Sequence, residues 1–531
     1  MVKNKTVKVE FALKSLFLIF TILVLASPAF AVEPVAYDFV LLNGTIVDGS
    51  GLPPFQGNLA IKDGKIAAVG VLPPYTAKKE VDIKGFVVAP GFIDLLCHND
   101  LLWSFTEQQK AIRRGVTSGL AGNCGFSILD VEKNLQKLQK HRGLLNLGTL
   151  LGQGSVRDWF VKTQKQKAPD PATMLKMKNF LELGLKAGAF GLSSGLGYEP
   201  GEWCQSPELE DLASVLSKYP HAVYYTHIRN YRSEVLDAIK EAIHLGEVDK
   251  VPVVIQHLLF KLPSNWDQTE SGLRLMEEAR GKGEVVYATV YPYDFWGSEV
   301  QIPLYQFLYL PEDTSHWNFY HKEAKADDAM AQIKRRLQEY GGGDKIEITQ
   351  VHNRSSRTAL GLTLKELAQQ RKLTEENTIL ALLLENGKDV KICYHGLSEE
   401  GLIKKIQSPY VLFGSDSAAT IPHPRDVGAF PRLLGTYVRD QGVIRLSEAI
   451  ERLTKEPAKL LGLKDRGQLK PGFWGDVVVF DYKTIGDNAT AVNPGTPPTG
   501  IRMVLVNGQQ VFGKGYFLNG YPGMVLRRSD N

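Results

Sequence analysis

Five side chains able to bind a metal ion stand where apolar runs give way to polar residues. His98 follows "VVAPGFIDLLC", Cys124 closes "SGLAGNC", His227 sits in "AVYYTHIR", His257 closes "VPVVIQH" and Asp416 lies in "YVLFGSDS". Imidazole, thiolate and carboxylate are donors suited to a hydrolytic metal ion. Any one of them alone reads as the cap of a buried strand. Five such groups at five strand ends point to a metal centre.

The elements that must carry these residues follow a strand-then-helix repeat. Eight apolar runs end in polar residues: "FVVAPGFID", "SGLAGNC", "LLNLGTLLG", "AFGLSSGL", "AVYYTHIR", "VPVVIQH", "VVYATVYPY" and "YVLFGSDS". Amphipathic segments such as "SEVLDAIKEAIHLGE" follow most of them. This predicts an α/β fold, a (β/α)8 TIM-like barrel whose chemistry lies at the C-terminal strand ends. More than a hundred residues separate the seventh and eighth runs, among them the aromatic, charged stretch "LYQFLYLPEDTSHWNFYHKEAKADDAMAQIKRRLQEYGGG". An insertion at about 299–350, over the barrel mouth, is expected there. Hairpin texture with Asn-Gly and Asp-Gly turns marks "YDFVLLNGTIVDGSG" and "GNLAIKDGKIAAVG" near the start, and returns in "GDVVVFD" and "RMVLVNGQQVFGKGYF". A small β-sandwich built from both chain ends accounts for this. The expected division is a signal peptide at 1–31, sandwich parts at 32–88 and 463–531, and the barrel hydrolase at 89–462.

The 531-residue chain is 23% charged and 44% hydrophobic, the balance of a soluble globular protein. Its start differs. Lys3, Lys5 and Lys8 precede the apolar core "SLFLIFTILVLA" and the small-x-small site Ala29-Phe30-Ala31, the pattern of a secretory signal. The core is short for a membrane span of about 20 residues. Cleavage after Ala31 is expected, giving an exported protein, periplasmic or secreted, with no stable membrane anchor after cleavage. That segment holds four lysines and one glutamate, so most of the formal charge of +4 leaves with it. What remains is too weakly basic for nucleic acid. Four cysteines, Cys97, Cys124, Cys204 and Cys393, are too few for a disulfide scaffold of this size. In an oxidising compartment metal ligation gives a thiolate a reason to persist.

In "GTIVDGSG", "VVAPGFID", "GVTSGLAGNCGFS", "GAFGLSSGLGYEPG", "YTHIRN", "VVIQH", "YPY", "LSEEGLIKKIQSPYVLFGSDS", "HPR" and "GAFPRLLGTYVRD" the chain resembles the amidohydrolase superfamily. Within it, the likeness is to the D-aminoacylase (N-acyl-D-amino-acid deacylase) group, and it covers nearly the whole mature chain in consistent order. "GNCGFS" and "GSDS" in this order are specific to the group, whereas "GFID" marks only the wider superfamily. The resemblance implies a tightly bound Zn2+ held by Cys124, His227 and His257, with His98 in a weaker second site. It further implies Asp416 as the acid–base group and Arg425 of "HPR" as holder of the substrate carboxylate. Tyr291, Ser298 and Tyr198 are weaker candidates for lining the pocket. Zinc favours thiolate and imidazole, and three protein ligands plus water make an open catalytic site.

The chain departs from the pattern at Leu96, where the family has the first histidine of an HxH pair. The loss falls on the weaker site and leaves the tight set complete. Asn99 replaces a commonly acidic neighbour, and "IQHLLFK" lacks a lysine close behind His257. Cys97 reads three ways: a core thiol, a replacement ligand, or half of a Cys97–Cys124 disulfide that would destroy the site. The implied activity is zinc-dependent hydrolysis of small-molecule N-acyl-D-amino acids, the D configuration resting on the resemblance alone. The alternatives are hydrolysis of a cyclic amide or dipeptide on the same scaffold, and a catalytically degenerate binding protein.

Overall fold

The computed structural model describes residues 33–98, 100–162, 167–296, 302–308, 325–419 and 422–529. The signal segment at 1–31, Asn99, Ser298 and part of the expected insertion lie outside these residues.

The chain opens with β1 (Val35–Ile46), β2 (Phe55–Lys62), β3 (Lys65–Gly70), β4 (Tyr75–Asp82) and β5 (Val87–Pro90). An irregularity between Leu41 and Gly44 breaks the register of β1, which pairs with β4 and β2 along its length and with β5 at its end. The apolar run expected as one strand divides at Gly91: β5 stays with the terminal sheet, and β6 (Phe92–Asp94) enters the barrel. The division has a steric cause. A Cβ on residue 91 would lie 2.2 Å from the Thr117 side chain, so only glycine lets the chain turn this corner. The expected limit at 88/89 therefore falls inside β5.

Barrel strands β7 (Val116–Ala121), β8 (Asn146–Thr149), β9 (Leu151–Gly152), β10 (Gly191–Gly195), β11 (Val223–His227), β12 (Val253–Ile255) and β13 (Val286–Val290) follow. Next come β14 (Ile302–Pro303), β15 (Ile346–Gln350) and β16 (Lys391–Tyr394), which form a separate three-stranded sheet, and then β17 (Val411–Phe413). Parallel ladders run β6–β7–β8 and β9–β10–β11–β12–β13–β17, and β8 and β9 are consecutive pieces of one run. A parallel bridge between Cys97 and Ser417, with Asp416 N–H donating to Leu96 O at 2.7 Å, joins the last strand to the first. The ring closes. Ile93, Leu120, Val223, Tyr225, Val254, Tyr287 and Leu412 form one cluster inside it, while their strand neighbours pack outward against the helices.

The insertion reaches further than 350, because β14 and β15 both pair with β16 at 391–394. Such pairing links segments far apart in sequence and leaves no mark in local composition. At the far end β18 (Val477–Phe480), β19 (Ile501–Val506), β20 (Gln509–Gly513) and β21 (Tyr516–Phe517) complete a nine-stranded sheet in which β18 pairs with β5. Leu41, Ile46, Leu59, Ile66, Val88, Val477 and Leu505 meet in one core, so this single sheet folds over itself as the expected sandwich. Among the described residues no helix is long and apolar enough to cross a membrane.

Candidate metal centre

The strand ends do not simply continue into loops. Cys124 (φ 56°), His257 (φ 33°) and Asp416 (φ 53°) all take left-handed backbone conformations. Non-glycine residues rarely do so, and persist there when their surroundings over-determine them. The surroundings here are specific. Gln256 Oε1 accepts from Cys124 N–H at 3.1 Å, and Tyr198 O–H donates to Cys124 O at 2.6 Å. His257 N–H donates to Thr289 Oγ1 at 2.9 Å. The Asp416 loop rests on fully buried Asp94, which accepts from Ser415 N (3.0 Å), Ser415 Oγ (2.5 Å) and Arg114 Nη2 (3.0 Å). The aspartate of "GFID" thus positions the loop and stays out of the donor sets.

Kinked this way, the side chains converge. His227 Nδ1 lies 3.1 Å from His257 Nε2, which lies 3.6 Å from Cys124 Sγ. Tetrahedral zinc, with bonds of about 2.0–2.1 Å to nitrogen and 2.3 Å to sulfur, sets its donors roughly 3.3–3.6 Å apart. The set fits. A second set, His98, Cys124 and Asp416, also has its donor atoms within 4.8 Å of one another, so Cys124 belongs to both. His227 is held between rings, edge-on to Tyr198 at 4.7 Å and to Tyr231 at 4.8 Å.

Burial pulls His227 far below the usual histidine range and His257 down to about 4, so both imidazoles are neutral, as ligation requires. Burial, then the charge of Asp416, pushes the Cys124 thiol well up, so an incoming metal must displace its proton. Burial alone would raise Asp416, but Arg425, His257 and His98 together hold its carboxyl far below the usual range. Asp416 is ionised.

Of the other expected residues, His98, Arg425, Tyr291 and Tyr198 also fall at this end of the barrel, and Ser298 lies outside the described residues. His98 Nε2 is 3.2 Å from Asp416 Oδ1. Arg425 Nη1 is 2.6 Å from Asp416 Oδ2, and its guanidinium lies over the Tyr291 ring at 4.7 Å. Among the described residues Arg425 Nε is buried without a hydrogen-bond partner. Tyr198 stacks on Phe126, a half-exposed ring, at 5.7 Å. The improvised roles for Cys97 are corrected: its Sγ donates to Leu120 O at 3.1 Å, it is absent from both donor sets, and no disulfide joins it to Cys124. The third donor beside His98 and Asp416 is Cys124. Sequence reasoning missed the amide pair that braces the centre, in which Gln256 Nε2 donates to Asn123 Oδ1 at 2.5 Å and Asn123 Nδ2 to Leu120 O at 2.6 Å. The signal was present: each amide directly precedes a ligand, in "NC" and "QH".

Known proteins resemble this chain over most of its length. Residues 409–512 match the amidohydrolase family model. The chain is 30% identical over 520 residues to an N-acyl-D-glutamate deacylase of Alcaligenes xylosoxydans xylosoxydans, covering 92% of this chain and 96% of that one. The crystal structure of N-acyl-D-glutamate deacylase from Bordetella bronchiseptica, complexed with zinc and a phosphonate inhibitor, superposes with a TM-score of 0.74 at 30% identity, covering 93% of this chain and all of that one. A D-aminoacylase described as having a binuclear metal centre, with one-metal activation and second-metal attenuation, gives a TM-score of 0.74 at 26% identity over 93% of this chain and 100% of that one.

Proposed function

Because the chain belongs to the D-aminoacylase group of the amidohydrolase superfamily, we propose that it is a zinc-dependent deacylase of N-acyl-D-amino acids. The observation that carries this is the convergence of Cys124 Sγ, His227 Nδ1 and His257 Nε2 beside the ionised Asp416. Zinc, when bound, supplies a Lewis acid that polarises the amide carbonyl and acidifies water. Cys124, His227 and His257 hold it. Asp416 takes a proton from the attacking water and later returns it to the departing amine nitrogen, so that a carboxylate and a free amino acid leave. Zinc content, with turnover of N-acyl-D- and N-acyl-L-amino acids alongside cyclic amides and dipeptides, tests the reading. Zinc without turnover of any acyl amino acid would overturn it.

Arg425 holds the substrate carboxylate in this proposal, since its planar fork matches that group. To do so it must share or release its grip on Asp416. Arg425→Lys is expected to depress kcat/KM for free acids far more than for the corresponding amides. Equal losses would assign the arginine to Asp416 alone. Tyr291, beneath the guanidinium, and Tyr198 complete the proposed pocket lining among the described residues, with Ser298 a further candidate from the sequence.

Metal stoichiometry follows from Leu96. The second donor set lacks a histidine there, and the Arg425 guanidinium already neutralises Asp416. A further cation would face that positive charge. Activity is expected to saturate at about one zinc per chain when metal-free protein is titrated, and Leu96→His to raise occupancy of the second set without being needed for turnover. Activity that appears only with a second equivalent would refute this.

We further infer export, supported by the basic start, the apolar core and the Ala-Phe-Ala site. N-terminal sequencing should find Val32 first, and an intact Met1 on the purified protein would contradict it.

A further inference from the structure

The helix Glu399–Gln407, "EEGLIKKIQ", contains a lysine pair that sequence alone reads as solvated. Its two members part company. Lys404 reaches surface Glu270 and Glu400, both at 2.7 Å. Lys405 shares the buried face with Gly401, Leu402 and Ile406, where a leucine would be expected, and is 3% exposed. Among the described residues it has no carboxylate partner, and its ammonium makes one hydrogen bond, to Leu258 O at 3.0 Å. An ammonium has three donors and is costly to bury without a counter-charge. Burial pulls its pKa down to about 7.

Leu258 directly follows His257. Among the described residues the far nitrogen of that ligand, Nδ1, is buried without a hydrogen-bond partner, although ligating histidines usually gain their orientation through that atom. The ring is therefore aimed by its backbone, which sits at φ 33°, and by the rings of His227 and Tyr231 packed against it. Clamps hold this stretch from several elements. Thr226 O on β11 accepts Gln256 N–H at 2.8 Å, and Tyr231 O–H donates to Gln256 O at 3.0 Å. Thr289 on β13 accepts both His257 N–H and Leu258 N–H, each at 2.9 Å. Lys405 adds a clamp one peptide further on, at Leu258 O.

We propose that Lys405 is a positioning residue for the metal centre: its buried amino group pins the Leu258 carbonyl, one peptide beyond His257, and so holds the turn that leaves the ligand and supports the strained backbone from which Nε2 faces the metal. The fold tolerates a buried amine without a carboxylate beside it among the described residues, in exchange for a ligand held in place. This rests on His257 being a metal ligand but not on the substrate, so it is tested by metal binding without reference to turnover.

The test compares Lys405→Met, which keeps the shape and removes the donor, with Lys405→Arg, which restores one. Zinc affinity of the metal-free protein is measured by competition with a chromophoric chelator, and the thiolate-to-cobalt charge-transfer band is recorded after cobalt loading. Lys405→Met is expected to lose about 10–100-fold in zinc affinity, the usual consequence of removing an outer-shell support. Its cobalt band should shift, while the melting temperature of the metal-free protein stays level or rises because a buried charge has gone. Lys405→Arg should recover most of the affinity. Unchanged affinity and an unshifted band in the Met variant would overturn the proposal. So would its failure to fold, which would make the ammonium a requirement of the core.

Discussion

Cys124→Ala is expected to leave a folded protein with no tightly bound zinc and almost no turnover. The thiolate is shared by both donor sets, so its loss leaves two neutral imidazoles on one side and a histidine with a carboxylate on the other. Neither pair defines a zinc site of the three-ligand kind. The fold should survive, because Cys124 fills little volume and its backbone is held by Gln256 Oε1 and Tyr198 O–H, which the substitution leaves in place. Metal analysis and circular dichroism on the same sample check the result. Full zinc occupancy in the variant would put the metal elsewhere and remove the basis of the functional reading.

Asp416→Asn should part these two properties. Zinc stays, because Cys124, His227 and His257 are untouched, but the proton carrier is gone. General acid–base groups contribute about 10²–10⁴-fold, and a loss of that order in kcat is expected. The amide also ends the ion pair with Arg425, so KM for carboxylate substrates should fall or hold as the guanidinium is released. A drop of only a few-fold in kcat would mean that another group moves the proton. A variant that lost zinc as well would place Asp416 among the tight ligands.

Much of this was legible in the sequence, for physical reasons. Barrel strands buried on both faces are mostly apolar, so all eight could be marked as runs, and their polar ends named His98, Cys124, His227, His257 and Asp416. What stayed hidden depends on tertiary direction. Nothing local shows that Cys97 Sγ turns to Leu120 O while Cys124 Sγ turns into the mouth, although both close apolar runs. The Gly91 corner depends on Thr117, a residue of the next strand. The placement of Arg425 on Asp416 arises only where the loop after β17 folds back, and the same holds for Lys405, whose buried face looks like any exposed lysine pair until the helix is docked.

The pairing of β5 with β18 bears on the order of events in the protein's birth. Val88 and Ala89 meet Val479 and Val478, partners several hundred residues away, and Leu147 of the barrel bridges to Val525 in the tail. Contacts of such sequence separation form slowly and expose unpaired edges meanwhile. During synthesis β5 has no β18 beside it until almost the whole chain has emerged. Until then β5 lacks its partner on that edge, and only arrival of β18 and the strands after it completes the terminal sheet. The clasp between the two ends would then act as a timer, leaving the terminal sheet open until β18 has been made.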